Sequence, residues 1–235
     1  VLLKSCDGLV VLLATSAELV DSSGQLFFGI FIFAVAHASL RMAKIMLLVS
    51  FIGYILLIPF LGTIAAELTT SLSTLISSPT SEIHRIKVWT FALEKIFENP
   101  LLGYGFDISQ QVPGGNSAVV LHTMDTGEEI VGPLMPLHPH SAPIQVWLEL
   151  GILGLCLFTT FLYLGVSSIS SRKSQVTHSA AATATLASCF TMAILSFDLW
   201  QGWWLFTLGS TAVLNVAIGT NYEASLETNS PEKES

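Results

Sequence analysis

Several runs of apolar residues in this chain are long enough to cross a lipid bilayer, and they limit the possible folds more than any other feature. A spanning helix needs about 17–25 such residues, and only helices and closed barrels satisfy their backbone polar groups inside a bilayer. Charged residues make up 11% of the 235 residues, against about 25% in soluble domains. We predict about six spans, at residues 8–20 (short or partial), 24–40, 45–63, 142–167, 178–198 and 203–219.

These spans predict an all-α, polytopic transmembrane bundle with one large extramembrane segment. We assign spans one to three to residues 1–62, an outer loop with a helix at 79–98 to residues 63–141, spans four to six to residues 142–219, and a disordered cytoplasmic tail to residues 220–235. The first residue is valine, not an initiator methionine, so we expect the first of these parts to begin upstream.

Orientation follows from the short links, because cytoplasmic links carry an excess of Lys and Arg. Arg41 and Lys44 lie between spans two and three, and Arg172 and Lys173 between spans four and five. The long, mostly acidic segment then faces the other side, which in a bacterium is the periplasm, and the tryptophan-rich turn 198–204 lies at the same interface. The formal net charge of −8 argues against nucleic acid as a partner and against a polybasic membrane anchor.

The helix predicted at 79–98 is amphipathic, with Ser78 as its N-cap. Arg85 falls beside the apolar stripe, next to Trp89. Arg85 fits a membrane-edge anchor, and it also fits a ligand that binds phosphate oxygens with both arms of its guanidinium. An irregular loop is predicted after the helix, up to Pro136. The stripe should face the membrane surface or the bundle and consists of Ile83, Ile86, Trp89, Leu93, Ile96 and Phe97.

Two histidines, His138 and His140, directly precede the fourth span. An imidazole titrates near neutrality and can accept a proton from an attacking hydroxyl. Ordinary loop histidines that bond to the backbone give the same pattern. The His-x-His spacing lacks a third ligand at a suitable distance along the chain, so we predict no metal site.

Ser141, Gln145 and Glu149 recur every four residues and form a polar stripe at the start of the fourth span. Glu149 lies about 10 Å beyond that start. Its carboxylate should face the bundle interior or a wet cavity, where it would pair with Arg85 or hold a histidine. A structural glutamate that packs two helices fits the pattern equally well.

Two stretches of the sequence carry a family resemblance. RIKVWTFALEKIFENPLLGYGFD (85–107) and HPHSAPIQVWLELGILG (138–154) resemble the signature region of the O-antigen ligase and O-antigen polymerase superfamily. In that family an Arg-x₃-Trp helix leads to a Pro-x-x-Gly-x-Gly turn, and a His-Asn-x-x-Leu-Gln…Glu-Leu-Gly segment enters the next span. Ser141 stands where the family commonly has Asn, and Gln110 where related sequences often have Arg.

The resemblance implies a GT-C-like glycosyltransferase of the bacterial inner membrane. Such enzymes pass a glycan from undecaprenyl pyrophosphate to an acceptor hydroxyl, on lipid A–core or another glycan, at the periplasmic face and without a cofactor. By position, Arg85 matches the arginine thought to bind the pyrophosphate, and His140 matches the histidine of the His-Asn pair. Glu149 matches the glutamate of Glu-Leu-Gly. We therefore expect Arg85 and His140 to be catalytic, with substrate binding by Arg85, His138, Gln145, Glu149 and Trp89.

Two other functions stay open from the sequence. A repeat-unit polymerase of the same superfamily would join glycans to one another, and these residues do not separate it from a ligase. A transporter or channel subunit would use Glu149 as a proton or ion relay. That class predicts charged residues in several spans and paired broken helices, whereas this sequence has one clear mid-span carboxylate, which favours the enzyme.

Overall fold

The computed structural model describes residues 25–75, 81–123, 126–169, 176–195 and 198–228. This part of the chain forms six helices and one two-stranded hairpin. A short 3₁₀ turn, Ser109–Gln111, precedes the hairpin. The elements in chain order are α1 Gln25–Ala38, α2 Leu40–Leu75, α3 Ser81–Glu98, β1 Ala118–Thr123, β2 Glu129–Pro133, α4 Ala142–Ser168, α5 Val176–Leu195 and α6 Gly202–Thr228.

Four helices are long and apolar enough to cross a membrane, which confirms the predicted polytopic helical class. They are Leu40–Leu61 of α2, the whole of α4, the whole of α5, and Gly202–Thr220 of α6. The span predicted at 24–40 is shorter than expected, because α1 has only 14 residues, or about 21 Å of helix. The span predicted at 8–20 lies outside the described residues.

Several predicted boundaries differ from the observed ones. Helix α2 continues to Leu75, well past the predicted end of the first part at 62. Helix α6 continues to Thr228, so the beginning of the predicted disordered tail is helical. Helix α3 is first described at Ser81, and its predicted cap lies in the undescribed stretch 76–80.

The loop after α3 is more regular than predicted, because β1 and β2 pair in an antiparallel hairpin within it. Val119 lies opposite Gly132, and Val120 lies opposite Val131. The prediction of an irregular loop up to Pro136 was wrong in this part, since its glycines and prolines outweighed two short runs of β-branched residues.

Helix α3 packs against the bundle through a face that is rotated from the predicted stripe. Leu93 and Ile96 are buried as expected, but Phe97 is 56% exposed, and Val88 and Ala92 are fully buried instead. This core joins α3 to α2 and α4 and also includes Ile58, Phe91, Val112, Met135, Ile144 and Leu148.

Helix α4 consists of two parts that meet at Gly151, where the backbone is not helical (φ 66, ψ −167). The first part, residues 142–150, is enclosed by protein and almost wholly buried. The second part exposes large apolar side chains such as Leu157 and Phe161, as a lipid-facing helix does. Glu149 therefore lies in the enclosed part, just before a break in the helix that the sequence did not predict.

Small residues bring α1, α2 and α5 close together at the other end of the bundle. Ala36, Ala43, Ala180 and Ala187 are buried there. A Cβ at Gly29 would meet the Ser188 hydroxyl of α5. Close approach through small side chains is typical of helix packing in membranes.

Candidate functional site

The two loop histidines sit at the start of α4, between α2 and α3. The ring centroids of His138 and His140 are 4.4 Å apart. His140 is half-buried and has φ 54, a left-handed conformation that a non-glycine residue keeps only where its surroundings fix it. The loop is fixed on one side by the Trp89 indole, whose Nε1 donates to the Pro139 carbonyl at 2.7 Å.

A second contact fixes the loop from α2. The hydroxyl oxygens of Tyr54 and Ser141 are 2.9 Å apart and share one hydrogen bond. Ser141 is fully buried, so its hydroxyl requires this partner. The residue that departs from the family's usual Asn thus has a structural partner in this chain.

Arg85 lies on α3, one helical turn before Trp89 and half-buried. Residues four apart share a face of a helix, so Arg85 is on the side of α3 that meets the histidine loop. Among the described residues, Arg85 makes neither an ion pair nor a hydrogen bond. The ion pair found on α3 joins Lys95 to Glu98. The predicted pairing of Arg85 with Glu149 is therefore wrong.

Glu149 is fully buried and is bonded to two other segments of the protein and to Gln145 of its own helix. Its Oε2 accepts from the Asp107 backbone N–H at 3.0 Å and from the Trp200 indole. Its Oε1 accepts from the Ser109 hydroxyl and, at 3.3 Å, from the Gln145 amide. This carboxylate joins α4 to the loop after α3 and to the turn before α6.

Gln145 is also fully buried, and its side-chain amide both donates and accepts hydrogen bonds. Its Nε2 donates to Asp198 Oδ1 at 2.6 Å, and its Oε1 accepts from the Leu199 N–H at 3.0 Å. The polar stripe Ser141, Gln145, Glu149 thus lies on a buried face, as its spacing predicted. The amide of Gln145 is used to hold the turn before α6.

The chain from 99 to 105 fills the break in α4 with its backbone. The N–H groups of Tyr104 and Gly105 donate to the carbonyls of Leu148 and Glu149, both at 2.9 Å, and the Ile152 N–H donates to the Pro100 carbonyl at 2.9 Å. A helix break leaves such groups without intrahelical partners, and this loop replaces those partners.

Two glycines permit this close approach. A Cβ at Gly103 (φ 69) would lie 2.5 Å from the Glu149 backbone carbonyl, and a Cβ at Gly151 would overlap the Leu101 carbonyl. The Pro-x-x-Gly-x-Gly and Glu-Leu-Gly stretches are therefore the two halves of one backbone junction.

Three residues of this junction, and Trp204 near it in sequence, were missed or assigned differently from the sequence. Asp107 is the last residue of the stretch 85–107 and Ser109 follows it, and the sequence assigned no role to either. Trp200 was predicted as an interfacial anchor, but its indole bonds Glu149 and its ring lies 4.4 Å from Phe106. Trp204 was predicted likewise and is 2% exposed. The signal available in the sequence was an acidic residue, Asp198, close to Trp200 at the end of an apolar run.

The electrostatics of α3 differ between its two ends. Burial and then the positive charge of Lys87 lower the pKa of His84 below its ordinary value of 6.5. At the other end, Glu98 accepts from Lys95 at 2.7 Å and from the Tyr104 hydroxyl at 2.8 Å. The bond from Lys95 is the main cause that lowers the pKa of Glu98.

No group of three or more His, Cys, Asp or Glu side chains that could hold a metal ion occurs in the part of the chain that the structure describes. Of the predicted site residues, the structure brings Trp89 to the loop of His138 and His140. It brings Gln145 and Glu149 to a separate buried junction.

Known proteins with a similar sequence match about half of this chain. A protein of Rickettsia prowazekii (strain Madrid E) is 36% identical over 127 residues, which cover 54% of this chain and 30% of that protein. One of Rickettsia conorii (strain ATCC VR-613 / Malish 7) is 36% identical over 125 residues, covering 53% of this chain and 29% of that protein. Both carry the words polysaccharide ligase in their names. The matched region thus spans less than a third of the length of either relative, and no solved structure matches the chain.

The family model described as O-antigen ligase matches residues 8–159. That range contains α3, the glycine junction, the two histidines and the enclosed part of α4. The chain, a polytopic helical membrane protein, belongs to the O-antigen ligase family.

Proposed function

We propose that the protein transfers a glycan from a carrier of the undecaprenyl pyrophosphate type to an acceptor hydroxyl, on lipid A–core or another surface glycan. The reaction takes place at the periplasmic face of a bacterial inner membrane. Membership of the O-antigen ligase family supports this reaction class. The observation that carries the assignment of the site is the hydrogen bond from Trp89 to the Pro139 carbonyl, because it joins the helix of Arg85 to the loop of His140.

Arg85 is the group that binds the pyrophosphate in this proposal. Its N–H donors are not used within the described residues, and a guanidinium fork matches the oxygens of a phosphate. Negative charge grows on the pyrophosphate as the bond between the anomeric carbon and the phosphate oxygen breaks. A cation placed at that position stabilises the transition state.

His140 is the group that receives the proton. The acceptor hydroxyl forms a bond to the anomeric carbon, its proton passes to the imidazole, and the electron pair of the broken bond leaves with the carrier pyrophosphate. The left-handed backbone at His140 sets the direction in which its side chain leaves the loop. His138, 4.4 Å away, packs beside it.

The test uses the complete gene product in lipid nanodiscs, with a lipid-linked pyrophosphate glycan and candidate acceptors. Arg85→Ala and His140→Ala should each lower transfer by about 100-fold or more, with normal membrane insertion. Arg85→Lys keeps the charge but not the fork and should lose part of the activity. Lys87→Ala is the matched control, because position 87 points to the opposite side of α3 from position 85, and it should keep wild-type activity.

Full activity in both Arg85→Ala and His140→Ala would refute the assignment. The acceptor distinguishes the two transferases of the superfamily. A ligase produces the glycan–acceptor conjugate, whereas a polymerase lengthens the carrier-linked glycan when no other acceptor is present.

A further inference from the structure

The junction around Glu149 points to a role in the geometry of the reaction. We propose that Glu149 is a positioning residue, whose carboxylate fixes α3 and the loop after it against α4 and so sets the separation of Arg85 and His140. The catalytic consequence rests on the proposed function. The structural part is open to a test that needs no activity.

The first support is the set of groups that converge on the carboxylate. All four are hydrogen-bond donors, namely the Asp107 backbone N–H, the Ser109 hydroxyl, the Gln145 amide and the Trp200 indole. An ionised carboxylate only accepts hydrogen bonds, through about four lone-pair sites. The two oxygens of Glu149 therefore match these donors, whereas a side chain that must also donate does not.

The second support is the way in which α3 is held. Near the histidine loop, Trp89 bonds the Pro139 carbonyl. Beyond the C-terminal end of α3, the chain is held again, since the backbone of Tyr104 and Gly105 bonds α4 and Asp107 bonds Glu149. Two separated attachments fix the angle of a helix, whereas a single attachment lets it pivot. Loss of the Glu149 bonds weakens the second attachment and leaves the first in place.

The third support is burial. The side chain of Glu149 has no exposed surface, so in this arrangement it does not touch a substrate, and its effect on the reaction passes through the segments that it holds. One of these carries Phe106, which is 63% exposed and whose ring lies against the ring of Trp200 at an angle of 41°. Glu149 bonds both Trp200 and the neighbour of Phe106, so it also fixes this aromatic pair.

The kinetic test compares Glu149→Ala and Glu149→Gln with wild type, per folded molecule. Displacement of a reacting group by about 1 Å can cost on the order of 100-fold in rate, so Glu149→Ala should lower kcat by about 10–100-fold. The Kd for the lipid-linked donor should stay at the wild-type value, because Arg85 is intact. Glu149→Gln keeps the shape and part of the acceptor capacity of the side chain, so its kcat should lie between that of wild type and that of Glu149→Ala. Glu129→Gln, at an exposed carboxylate of β2, should match wild type.

A double-mutant cycle tests the bonds themselves. Trp200→Phe removes the indole donor but keeps an aromatic ring beside Phe106. It should lower kcat in the wild-type background and have little further effect in Glu149→Ala, because residues that act through one contact are not additive. Equal effects of Trp200→Phe in both backgrounds would overturn the proposal. If Glu149→Ala does not fold, Glu149→Leu, which fills the space but has no acceptor, serves as the background.

The distance test needs no activity. Spin labels are attached at Glu94→Cys, exposed on α3, and Leu153→Cys, exposed on α4 after the break, with the three native cysteines replaced by serine. The distance distribution should be narrow in wild type and in Glu129→Gln, and broader or shifted in Glu149→Ala.

The outcomes separate the two hypotheses. If wild-type protein with intact distances transfers no glycan, the proposed function fails, while a broadened distribution in Glu149→Ala still upholds the structural part. If wild type is active and Glu149→Ala keeps both its kcat and its distances, the positioning role is overturned and the proposed function stands. A loss of folded protein with unchanged kcat per folded molecule also overturns it, because that result marks a purely structural residue.

Discussion

Substitution of Gly151 by alanine tests the break in α4 most directly. Gly151 has φ 66 and ψ −167, a conformation that is essentially limited to glycine and costs another residue about 1–3 kcal/mol. The new Cβ would also overlap the Leu101 carbonyl, and extra atoms in a packed site cost about another 1–3 kcal/mol. Gly151→Ala should therefore lower the free energy of unfolding by about 2–6 kcal/mol, a large share of a typical 5–15 kcal/mol.

Gly165 provides a matched control in the same helix, because a Cβ there would meet no atom within 4 Å. Alanine is favoured over glycine inside a helix by roughly 0.5–1 kcal/mol, so Gly165→Ala should be neutral or slightly stabilising. Both variants are compared with wild type by denaturant and thermal unfolding in one detergent. If Gly151→Ala loses no more stability than Gly165→Ala, the backbone junction does not require glycine and the reasoning is wrong.

Two further predictions concern α3. Trp89→Phe removes the donor to the Pro139 carbonyl and should cost about 0.5–1.5 kcal/mol of stability, and it should also lower glycan transfer. Trp147→Phe is the control, because it loses a 3.2 Å bond to a loop carbonyl and should keep its transfer activity. Equal losses of transfer in the two variants would contradict this prediction. His84 has a lowered pKa, so the unfolded chain takes up the proton first and stability falls as pH drops below about 6.5. His84→Gln should flatten the decline of Tm between about pH 7.5 and 5.5, and a decline as steep as in wild type would count against it.

The sequence predicts the helical class and the buried polar face, because both depend on local periodicity. Apolar runs of span length identify α2, α4, α5 and α6. The spacing of Ser141, Gln145 and Glu149 identifies one face of α4, and all three are buried. The roles of Arg85 and His140 remain predictions that the proposed variants test.

The partners of the polar face could not be predicted, because they come from residues far away in the chain. Glu149 bonds Ser109 and Trp200, 40 and 51 residues away. Ser109 lies in no motif, and the tryptophan-rich turn of Trp200 predicts a membrane interface, not a bond to α4. Their approach depends on positive φ angles at Gly103 and Gly151, which direct the loop into the helix break. Glycine in the sequence permits such angles but does not specify them.

The hydrogen bonds at the two ends of α4 require that this helix bend at Gly151. At its C-terminal end, Lys44 of α2 donates to the Ile169 carbonyl at 2.6 Å, and at its N-terminal start Ser141 bonds Tyr54 of α2. Lys44 and Tyr54 are only about 15 Å apart along α2, whereas a straight helix of the 27 residues of α4 measures about 40 Å. Side-chain reach does not make up this difference, so the enclosed part must turn away from the axis of the lipid-facing part.

That turn carries the histidine loop toward the level of Tyr54, about 10 Å short of the end of the apolar span at Leu61. A bend of this size frees backbone carbonyls that cost several kcal/mol each if left unpaired in hydrocarbon. Tyr104 and Gly105 bond two of them. The loop after α3 therefore makes the bend possible, and the bend brings His140 to the helix of Arg85. Gly151→Ala should therefore lose glycan transfer even under conditions where its helices remain folded.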